Sequence, residues 1–405
     1  MAGAMVKGHR RQTGMPWPSW VEVDLDAIRH NAGVMRSILA PGCQLMAVVK
    51  AQAYGHGAVA VARAALEAGA TWLAVARVRE GVQLRAAGID APILLLGPMT
   101  PSEIPTLVEG ELRPILVSLE QAEAMSKVAR MARRTVPVHL KVETGMGRYG
   151  APVEEMLRWL PRAARLPGLR LEGLCSHFAT ADERDGSYAA SQLATFRAAR
   201  ERLALAGFRF PLAHMAASAG ILGIEASHMD MVRLGLSLYG LYPSAHLESR
   251  APLRPALSLY SEVARLFRVR VGQSVGYGRT FVADREMEAA LVPIGYADGL
   301  PRSHSNRGFM LVNGCRAPLI GRVSMDQCVV EVSGCGAVRE GDPVVAIGTQ
   351  GKETISCDEF AERSGTISYE VLTSLGARLP RVYRSGGTIV SVGYLDEGRL
   401  EPWVP

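Results

Sequence analysis

Residues 45–76 read LMAVVKAQAYGHGAVAVARAALEAGATWLAVA, and this stretch decides the fold. An apolar run at residues 45–50 is followed by a helical pattern at residues 56–68 and by a second apolar run at residues 72–76. Gly69 stands where a helix C-cap belongs. This alternation is typical of a βα unit, whose strands form a parallel sheet.

The same alternation continues to about residue 240 and predicts eight strands. We number them one to eight: Leu45–Lys50, Trp72–Ala76, Ile93–Gly97, Pro114–Ser118, Val138–Glu143, Leu171–Phe178, Ala213–Ala217 and Met231–Tyr239. Eight units in roughly 200 residues favour a closed (β/α)8 barrel, because an open doubly wound sheet rarely needs so many parallel strands.

The pattern changes after Tyr242, where three prolines precede short alternating strand-like runs separated by Gly-rich links. We therefore predict a flexible N-terminal tail at residues 1–16, a barrel domain at residues 17–250 and a mostly β C-terminal domain at residues 251–405. Residues 17–25 also alternate like a strand. The sequence alone does not decide whether they pair with the barrel or with the C-terminal domain.

Composition excludes several functional classes. The net charge of +6 arises from 45 basic and 39 acidic residues that are scattered rather than clustered, which argues against nucleic-acid binding. The six cysteines form no CxxC pair, so we expect reduced thiols and no metal site. No apolar run has the length of a signal peptide core or a membrane span. These features predict a cytoplasmic enzyme.

Polar residues stand at the predicted carboxyl ends of the strands, where barrel enzymes build their active sites. A lysine that ends an apolar run, such as Lys50, suits a desolvated amine that forms a Schiff base. Ser218 follows strand seven, and Gly235 and the backbone of Leu236 lie in the segment of strand eight; such barrels commonly bind phosphate in the loops after these two strands. Each residue alone has a structural explanation, but together they predict a site for a phosphorylated cofactor.

Nine motifs carry a family resemblance: AVVKAQAYGHG, KVETGMGRYG, HFATAD, HMAASA, VRLGLSLYG, VGYGRTF, PIGYADG, GRVSMDQ and TISYE. In this order they resemble bacterial alanine racemase, a fold-type III pyridoxal-phosphate enzyme. The resemblance spans roughly residues 20–385. It implies a barrel followed by a β domain, pyridoxal 5'-phosphate as cofactor, and a homodimer whose active sites are completed across the interface.

The resemblance implies two catalytic bases on opposite faces of the substrate Cα. Lys50 would hold the cofactor and act on the D-substrate, and Tyr277 of the partner subunit would act on the L-substrate. A tyrosine with an ordinary pKa of about 10 is a poor base, so positive charge must favour its phenolate. The resemblance places His177 and Arg233 in a hydrogen-bonded chain toward this tyrosine.

Arg233 also resembles the partner of the cofactor's pyridine nitrogen. An acidic partner would protonate that nitrogen and make the ring a strong electron sink. An arginine leaves the nitrogen unprotonated, which suppresses side reactions such as transamination. This residue therefore favours a racemase over other reactions of the same fold type.

Binding roles follow from the resemblance in the same way. The phosphate set is Tyr54, Ser218, Gly235, Leu236 and Tyr369, and the substrate carboxylate set is Arg148 and Met325. Lys141 matches a lysine that is carbamylated in some relatives. The entry path matches Asp182, Arg302, Arg322 and Ile367, for which ordinary surface ion pairs are the alternative. Tyr296 and Asp326 stand beside the site, and Ser324 departs from the family by replacing a common cysteine.

Several alternatives remain open at this stage. A racemase of serine or another small amino acid would share the motifs, although Tyr369 leaves room for little more than a methyl group. A decarboxylase of the same fold type would need an acid in place of Arg233. A non-catalytic cofactor-binding protein would usually lack the C-terminal domain, and a metal-dependent hydrolase would need clustered His and Asp. The product could serve peptidoglycan synthesis or alanine catabolism.

Overall fold

The computed structural model describes residues 14–395 and 400–403, so most of the predicted tail lies outside the described residues. The described chain forms two compact units. The barrel unit comprises residues 25–54 and 58–256, and the β unit comprises residues 14–24, 55–57, 257–395 and 400–403. The domain boundaries at residues 16 and 250 stay a prediction.

Eight parallel strands form the barrel unit's sheet, with the eighth strand beside the first. In chain order they are Gln44–Val48, Trp72–Val75, Ile93–Leu95, Arg113–Leu116, Val136–Lys141, Leu169–Cys175, Leu212–His214 and Met231–Leu234. Single backbone hydrogen bonds join strands seven and eight, from Asp230 N to Ala213 O and from Arg233 N to Ala216 O. The barrel is therefore nearly closed.

The first helix of the barrel unit precedes its first strand, and the others lie between the strands. In chain order they are Leu25–Ser37, Ala58–Glu67, Val78–Ala86, Ile104–Glu109, Leu119–Met131, Val153–Ala163, Ser187–Leu205 and Ser218–Gly223. Short 3-10 turns add Pro101–Glu103, Glu225–Ser227, Leu236–Tyr239 and Ala245–Arg250. Ser118 begins one helix by accepting a hydrogen bond from Gln121 N, as a side-chain N-cap does.

The segment after strand one differs from the expected extended strand. The strand ends at Val48, and Lys50–Tyr54 forms a left-handed turn in which residues 51–54 have φ between 50° and 54°. Strand eight is also shorter than predicted, because the chain leaves the sheet at Gly235 and enters the 3-10 turn Leu236–Tyr239. Both departures lie at the carboxyl ends of the strands.

The β unit contains three sheets. The largest runs in the order Cys315–Pro318, Phe309–Val312, Pro343–Gln350, Leu257–Glu262, Ser19–Asp24, Arg381–Ser385, Thr388–Gly393 and Leu400–Pro402, with Glu353–Ile355 paired to Pro343–Gln350. The others are Arg265–Val269 with Met287–Val292 and Cys328–Glu331, and Ser274–Val275 with Phe281–Val282. Two helices, Cys357–Ser364 and Ser368–Ser374, and the 3-10 turns Tyr277–Arg279, Tyr296–Asp298 and Arg302–His304 complete the unit.

The N-terminal strand Ser19–Asp24 lies inside the large sheet of the β unit. It pairs antiparallel with Leu257–Glu262 and parallel with Arg381–Ser385. The predicted fold class, a (β/α)8 barrel followed by a mostly β domain, is confirmed. No helix among the described residues is both long and apolar enough to cross a membrane.

Candidate active site

A pocket of about 230 Å³ opens at the carboxyl ends of the barrel strands. Four cationic side chains line it, and none of its described lining residues is Asp or Glu. The lining comprises Lys50, Ala76, Leu96, Gly97, Pro98, Ile115, Lys141, Arg148, Tyr149, Cys175, Ser176, His177 and Arg233. The pocket is therefore suited to an anionic ligand.

Lys50 begins the left-handed turn and is half-buried. Burial, followed by the charge of Arg148, lowers the pKa of its amine, and the charge of Glu80 opposes this effect. Glu80 also fixes the turn, because its carboxylate accepts hydrogen bonds from Ala51 N at 2.6 Å and from Ala76 N at 2.7 Å. A lowered pKa increases the neutral fraction of the amine, which is its nucleophilic form.

Arg233 is buried and contacts His177 directly. Its Nη2 donates to the carbonyl oxygens of Ser176 at 2.7 Å and Met215 at 2.8 Å, and the same nitrogen lies 3.1 Å from His177 Nδ1. Burial and then the charge of Arg233 lower the pKa of His177 to about 2. Because a guanidinium only donates, the neutral imidazole must accept at Nδ1 and carry its proton on Nε2.

A group of hydroxyls surrounds Gly235. Ser218 Oγ accepts hydrogen bonds from Gly235 N at 3.1 Å and from Ser237 N at 3.2 Å. A Cβ placed on Gly235 would lie 3.1 Å from the Tyr54 hydroxyl and 3.7 Å from Ser218 Oγ. The glycine thus keeps a small polar space open where Tyr54, Ser218 and the backbone before Leu236 meet.

Lys141 and Arg148 stand on either side of the loop after strand five. Lys141 is buried, and its Nζ lies 5.9 Å from the centre of the Tyr149 ring. Burial lowers its pKa, and the charges of Arg233 and Arg148 lower it further. Arg148 is exposed. The neutral fraction of the Lys141 amine is therefore also increased.

The β unit holds a separate group of predicted site residues. Tyr277 and Met325 are 72% and 53% exposed, and both line a concave surface with Gly276, Ser324, Asp326 and Gln327. Gly276 and Gly278 have positive φ, which lets the Tyr277 turn pack closely against Arg322. Asp326 pairs with Arg378 at 2.7 Å, and Tyr296 N donates to Ser324 O at 3.1 Å.

The remaining predicted residues lie at the surface of their units. Ile367 is 62% exposed at the start of the helix Ser368–Ser374, in which Tyr369 is half-buried. Arg302 is exposed in the β unit, and Asp182 is exposed in a loop of the barrel unit. Within the barrel unit, the structure gathers Lys50, Lys141, Arg148, His177 and Arg233 around one pocket.

Sequence reasoning missed the residues behind this pocket. Glu80 was not expected, and neither were His139, Glu172 and His214, which are buried in the barrel. One signal was available, because His139 lies two residues before Lys141 and therefore shares its face of strand five. Among residues 14–395 and 400–403, no cluster of three or more His, Cys, Asp or Glu side chains could hold a metal ion.

Family models match both parts of the chain. The model for the alanine racemase N-terminal domain matches residues 23–243, and the model for the C-terminal domain matches residues 256–383. The chain belongs to the alanine racemase family. An alanine racemase from Syntrophobacter fumaroxidans is 44% identical over 368 residues, covering 91% of this chain and 98% of that protein.

Solved structures of the alanine racemase family share the fold. A crystal structure of alanine racemase from Bacillus anthracis with bound L-Ala-P has a TM-score of 0.90 and 40% identity, and the match covers 95% of this chain and all of that chain. The enzyme from Bartonella henselae with covalently bound pyridoxal phosphate has a TM-score of 0.82 and 29% identity, covering 91% and 100%.

Proposed function

We propose that this chain is a pyridoxal-phosphate-dependent racemase that interconverts L-alanine and D-alanine. The observation that carries the proposal is the convergence of Lys50, His177 and Arg233 on one pocket at the barrel mouth. Membership of the alanine racemase family supports the same reaction. An arginine rather than an acid at position 233, which we assign to the cofactor's ring nitrogen, is the feature that favours racemisation over decarboxylation.

The residues of the barrel unit fit pyridoxal 5'-phosphate. Lys50 offers an amine of lowered pKa for a covalent bond, and the hydroxyls around Gly235 offer donors for a phosphate. We assign the phosphate to Tyr54, Ser218, Gly235 and Leu236, and the ring nitrogen to Arg233. Tyr369, in the β unit, keeps the phosphate-binding role that the resemblance implies. When bound, the cofactor supplies an electron sink for charge that develops at the substrate Cα.

Lys50 and Tyr277 of the partner subunit are the two proposed bases. One removes the α-proton from one face, and the other returns a proton to the opposite face. Lys50 acts on D-alanine and the tyrosine acts on L-alanine. His177 would donate its Nε2 proton toward the phenolic oxygen, and the positive charge of Arg233 behind it would favour the phenolate.

We propose that the enzyme is a homodimer with shared active sites. Tyr277 and Met325 are large side chains exposed on one concave surface of the β unit. Exposed apolar clusters of this kind mark interaction surfaces. In the dimer, Met325 and Arg148 would bind the substrate carboxylate, and Asp182, Arg302, Arg322 and Ile367 would line the entry path.

Lys141 is proposed to carry a carbamate. The neutral amine attacks carbon dioxide, a new N–C bond forms, and a proton is released to solvent. The product is an anion within a pocket whose other charged groups are cations. It would pair with Arg148 and hold that guanidinium toward the substrate.

The cysteines bear on the cellular compartment of the enzyme. The six cysteines are free thiols, which agrees with a reducing compartment, and we therefore place the enzyme in the cytoplasm. Its product would serve peptidoglycan synthesis or its activity would serve alanine catabolism.

We propose that the chain is divided into a tail at residues 1–16, a barrel at 17–250 and a β domain at 251–405.

The first experiment is the absorption spectrum of the purified protein, followed by loss of optical rotation with L-alanine and then L-serine. We expect the band of a lysine-bound cofactor and faster racemisation of alanine. Lys50→Ala should lose both, whereas Lys127→Ala, an exposed lysine on Leu119–Met131, should lose neither. A preference for serine would change the substrate, and a cofactor band without racemisation would favour a decarboxylase or a binding protein.

Tyr277→Phe tests the second base. The variant should keep its bound cofactor, because Lys50 is intact, and should preferentially lose exchange of the α-proton of L-alanine with deuterated solvent. Exchange is measured separately from each enantiomer. Full racemase activity in this variant would refute the two-base assignment.

A further inference from the structure

A row of buried polar side chains continues from Arg233 into the barrel interior. Arg233 Nη1 lies 2.6 Å from His214 Nδ1, and His214 Nε2 lies 2.9 Å from His139 Nδ1. His139 Nε2 lies 3.3 Å from Glu172 Oε2. The same oxygen forms an ion pair with Arg113 Nε at 2.7 Å. The proposed function assigns no role to the last four residues.

The direction of every proton in this row follows from its first member. Arg233 has only donors, so His214 must accept at Nδ1 and carry its proton on Nε2. His214 therefore donates to His139 Nδ1, and His139 in turn carries its proton on Nε2 and donates to the Glu172 carboxylate. The row thus ends on an acceptor-only group that a second arginine neutralises.

Close packing around the His139 ring restricts its position and orientation. A Cβ on Gly173, the neighbouring position on strand six, would lie 2.3 Å from His139 Nδ1. The Trp72 ring meets the His139 ring edge-on with centroids 5.6 Å apart, and the Arg113 guanidinium lies 4.6 Å from the Trp72 ring. The Trp72 indole therefore packs against both His139 and Arg113.

Because the histidines of this row are buried, each hydrogen bond in it depends on the protonation of its neighbours. His139 and His214 are fully buried, and burial lowers the pKa of both, so both rings are neutral. Burial alone would raise the pKa of Glu172, but the hydrogen bond from His139 and the charge of Arg113 keep it low. If either histidine carried its proton on Nδ1 instead of Nε2, two hydrogen-bond donors would face each other in an interior without water.

We propose that His139 and Glu172 are positioning residues for Arg233. By fixing His214 as the Nε2–H tautomer, they present an acceptor that orients the guanidinium toward the pocket. This inference rests on the proposed function, since it gives Arg233 its catalytic setting. His139 and Glu172 lie beneath the pocket and are not among the proposed site residues.

The tautomers are measured without activity, on the full-length cofactor-free chain labelled with ¹⁵N-histidine. We expect His139 and His214 to show a protonated Nε2 and an unprotonated Nδ1. The signals are assigned by their loss in His139→Gln and His214→Gln, and that of His139 also by proximity to Trp72. An Nδ1–H form of either ring in the unaltered chain overturns the proposal.

Glu172→Gln tests the effect on catalysis. The amide keeps the size of the side chain but can donate to His139 Nε2 and reverse the row. We expect kcat per bound cofactor to fall by about tenfold or more, as for other outer hydrogen-bond partners of functional groups, with KM for alanine nearly unchanged. Glu154→Gln removes an exposed ion pair with Arg202 on the barrel surface and should leave kcat unchanged.

Gly173→Ala is a second variant that removes no polar atom. It should displace the His139 ring and lower kcat in the same way. A purely structural role would instead reduce the fraction of cofactor-loaded enzyme, with kcat per loaded site unchanged, and would overturn the proposal. Lack of alanine racemisation by the unaltered enzyme would contradict the proposed function but would leave the tautomer result standing.

Discussion

At the scale of a single residue, the position of the proton on His177 decides which hydrogen bond this side chain can offer in the pocket. Arg233 occupies Nδ1, so the only donor that His177 offers is Nε2–H. Burial and the charge of Arg233 lower the pKa of this imidazole to about 2, so the ring is neutral at neutral pH. We therefore expect His177 to act as a fixed hydrogen-bond donor rather than as an acid or base.

The carbamate on Lys141 is a prediction at the same scale. Burial lowers the pKa of this amine, so a neutral amine is available to react with carbon dioxide. We expect one carbamate signal per chain in the ¹³C NMR spectrum of enzyme prepared in ¹³C-bicarbonate. The signal should vanish in Lys141→Ala and persist in Lys127→Ala. Absence of the signal from unaltered enzyme would contradict the prediction.

The sequence predicts the residues that touch the pocket better than those behind them. Lys50 and His177 follow strand ends and Arg233 lies within strand eight, and position along a barrel strand predicts that they converge. Glu80 lies within a helical pattern and resembles a solvated surface residue, so nothing local indicates that its carboxylate caps the turn after strand one. His139 and His214 pair only through folding, because 75 positions separate them.

The left-handed turn after Lys50 is the element on which the pocket depends. Each left-handed residue other than glycine costs about 1–2 kcal/mol, so the turn needs external support. Glu80 provides it by accepting from Ala51 N, Ala76 N and Arg77 N. Propensity could not predict this turn, since AQAY favours an ordinary helix.

Glu80→Ala should therefore loosen the turn and lower stability. Loss of charged hydrogen bonds to three backbone groups is expected to cost about 1–3 kcal/mol in the free energy of unfolding. It also removes the charge that raises the pKa of Lys50, so that pKa should fall further. Urea unfolding measures the first effect, and the pH dependence of cofactor binding measures the second. Glu109→Ala, on an exposed helix position, should change neither.

At the scale of the whole molecule, the eight βα units could be predicted because each repeats the same alternation of apolar runs and helical patterns. The strand Ser19–Asp24 could not be placed, since its partners, Leu257–Glu262 and Arg381–Ser385, lie more than 200 positions away. Strand pairing over such distances leaves no local pattern in the sequence.

Acid should destabilise the barrel before most carboxylates titrate. Unfolded histidines bind protons below a pH of about 6.5, whereas His139, His177 and His214 have lowered pKa values in the folded barrel and stay neutral. Stability is therefore full above pH 6.5 and falls as the pH drops below it. Three protons predict a limiting slope of about 4 kcal/mol per pH unit. Urea unfolding from pH 7 to pH 5 measures it, and a flat profile would contradict the prediction.

Shared active sites predict that two inactive variants restore activity when combined. In a hybrid of Lys50→Ala and Tyr277→Phe chains, one of the two sites has both an intact lysine and an intact tyrosine. Random reassociation of equal amounts should recover about one quarter of the unaltered activity. Lys50→Ala mixed with the double variant should recover none. Failure of the first mixture to recover activity would mean that each chain completes its own site.

The backbone from Ala51 to Tyr54 has the handedness that a D-residue prefers. The chain could be assembled by chemical ligation with D-alanine at positions 51 and 53. The left-handed backbone, which is strained for L-residues, would then be the conformation that these two residues prefer. The proposed product of the enzyme would then be the better building block for the turn that holds its own lysine.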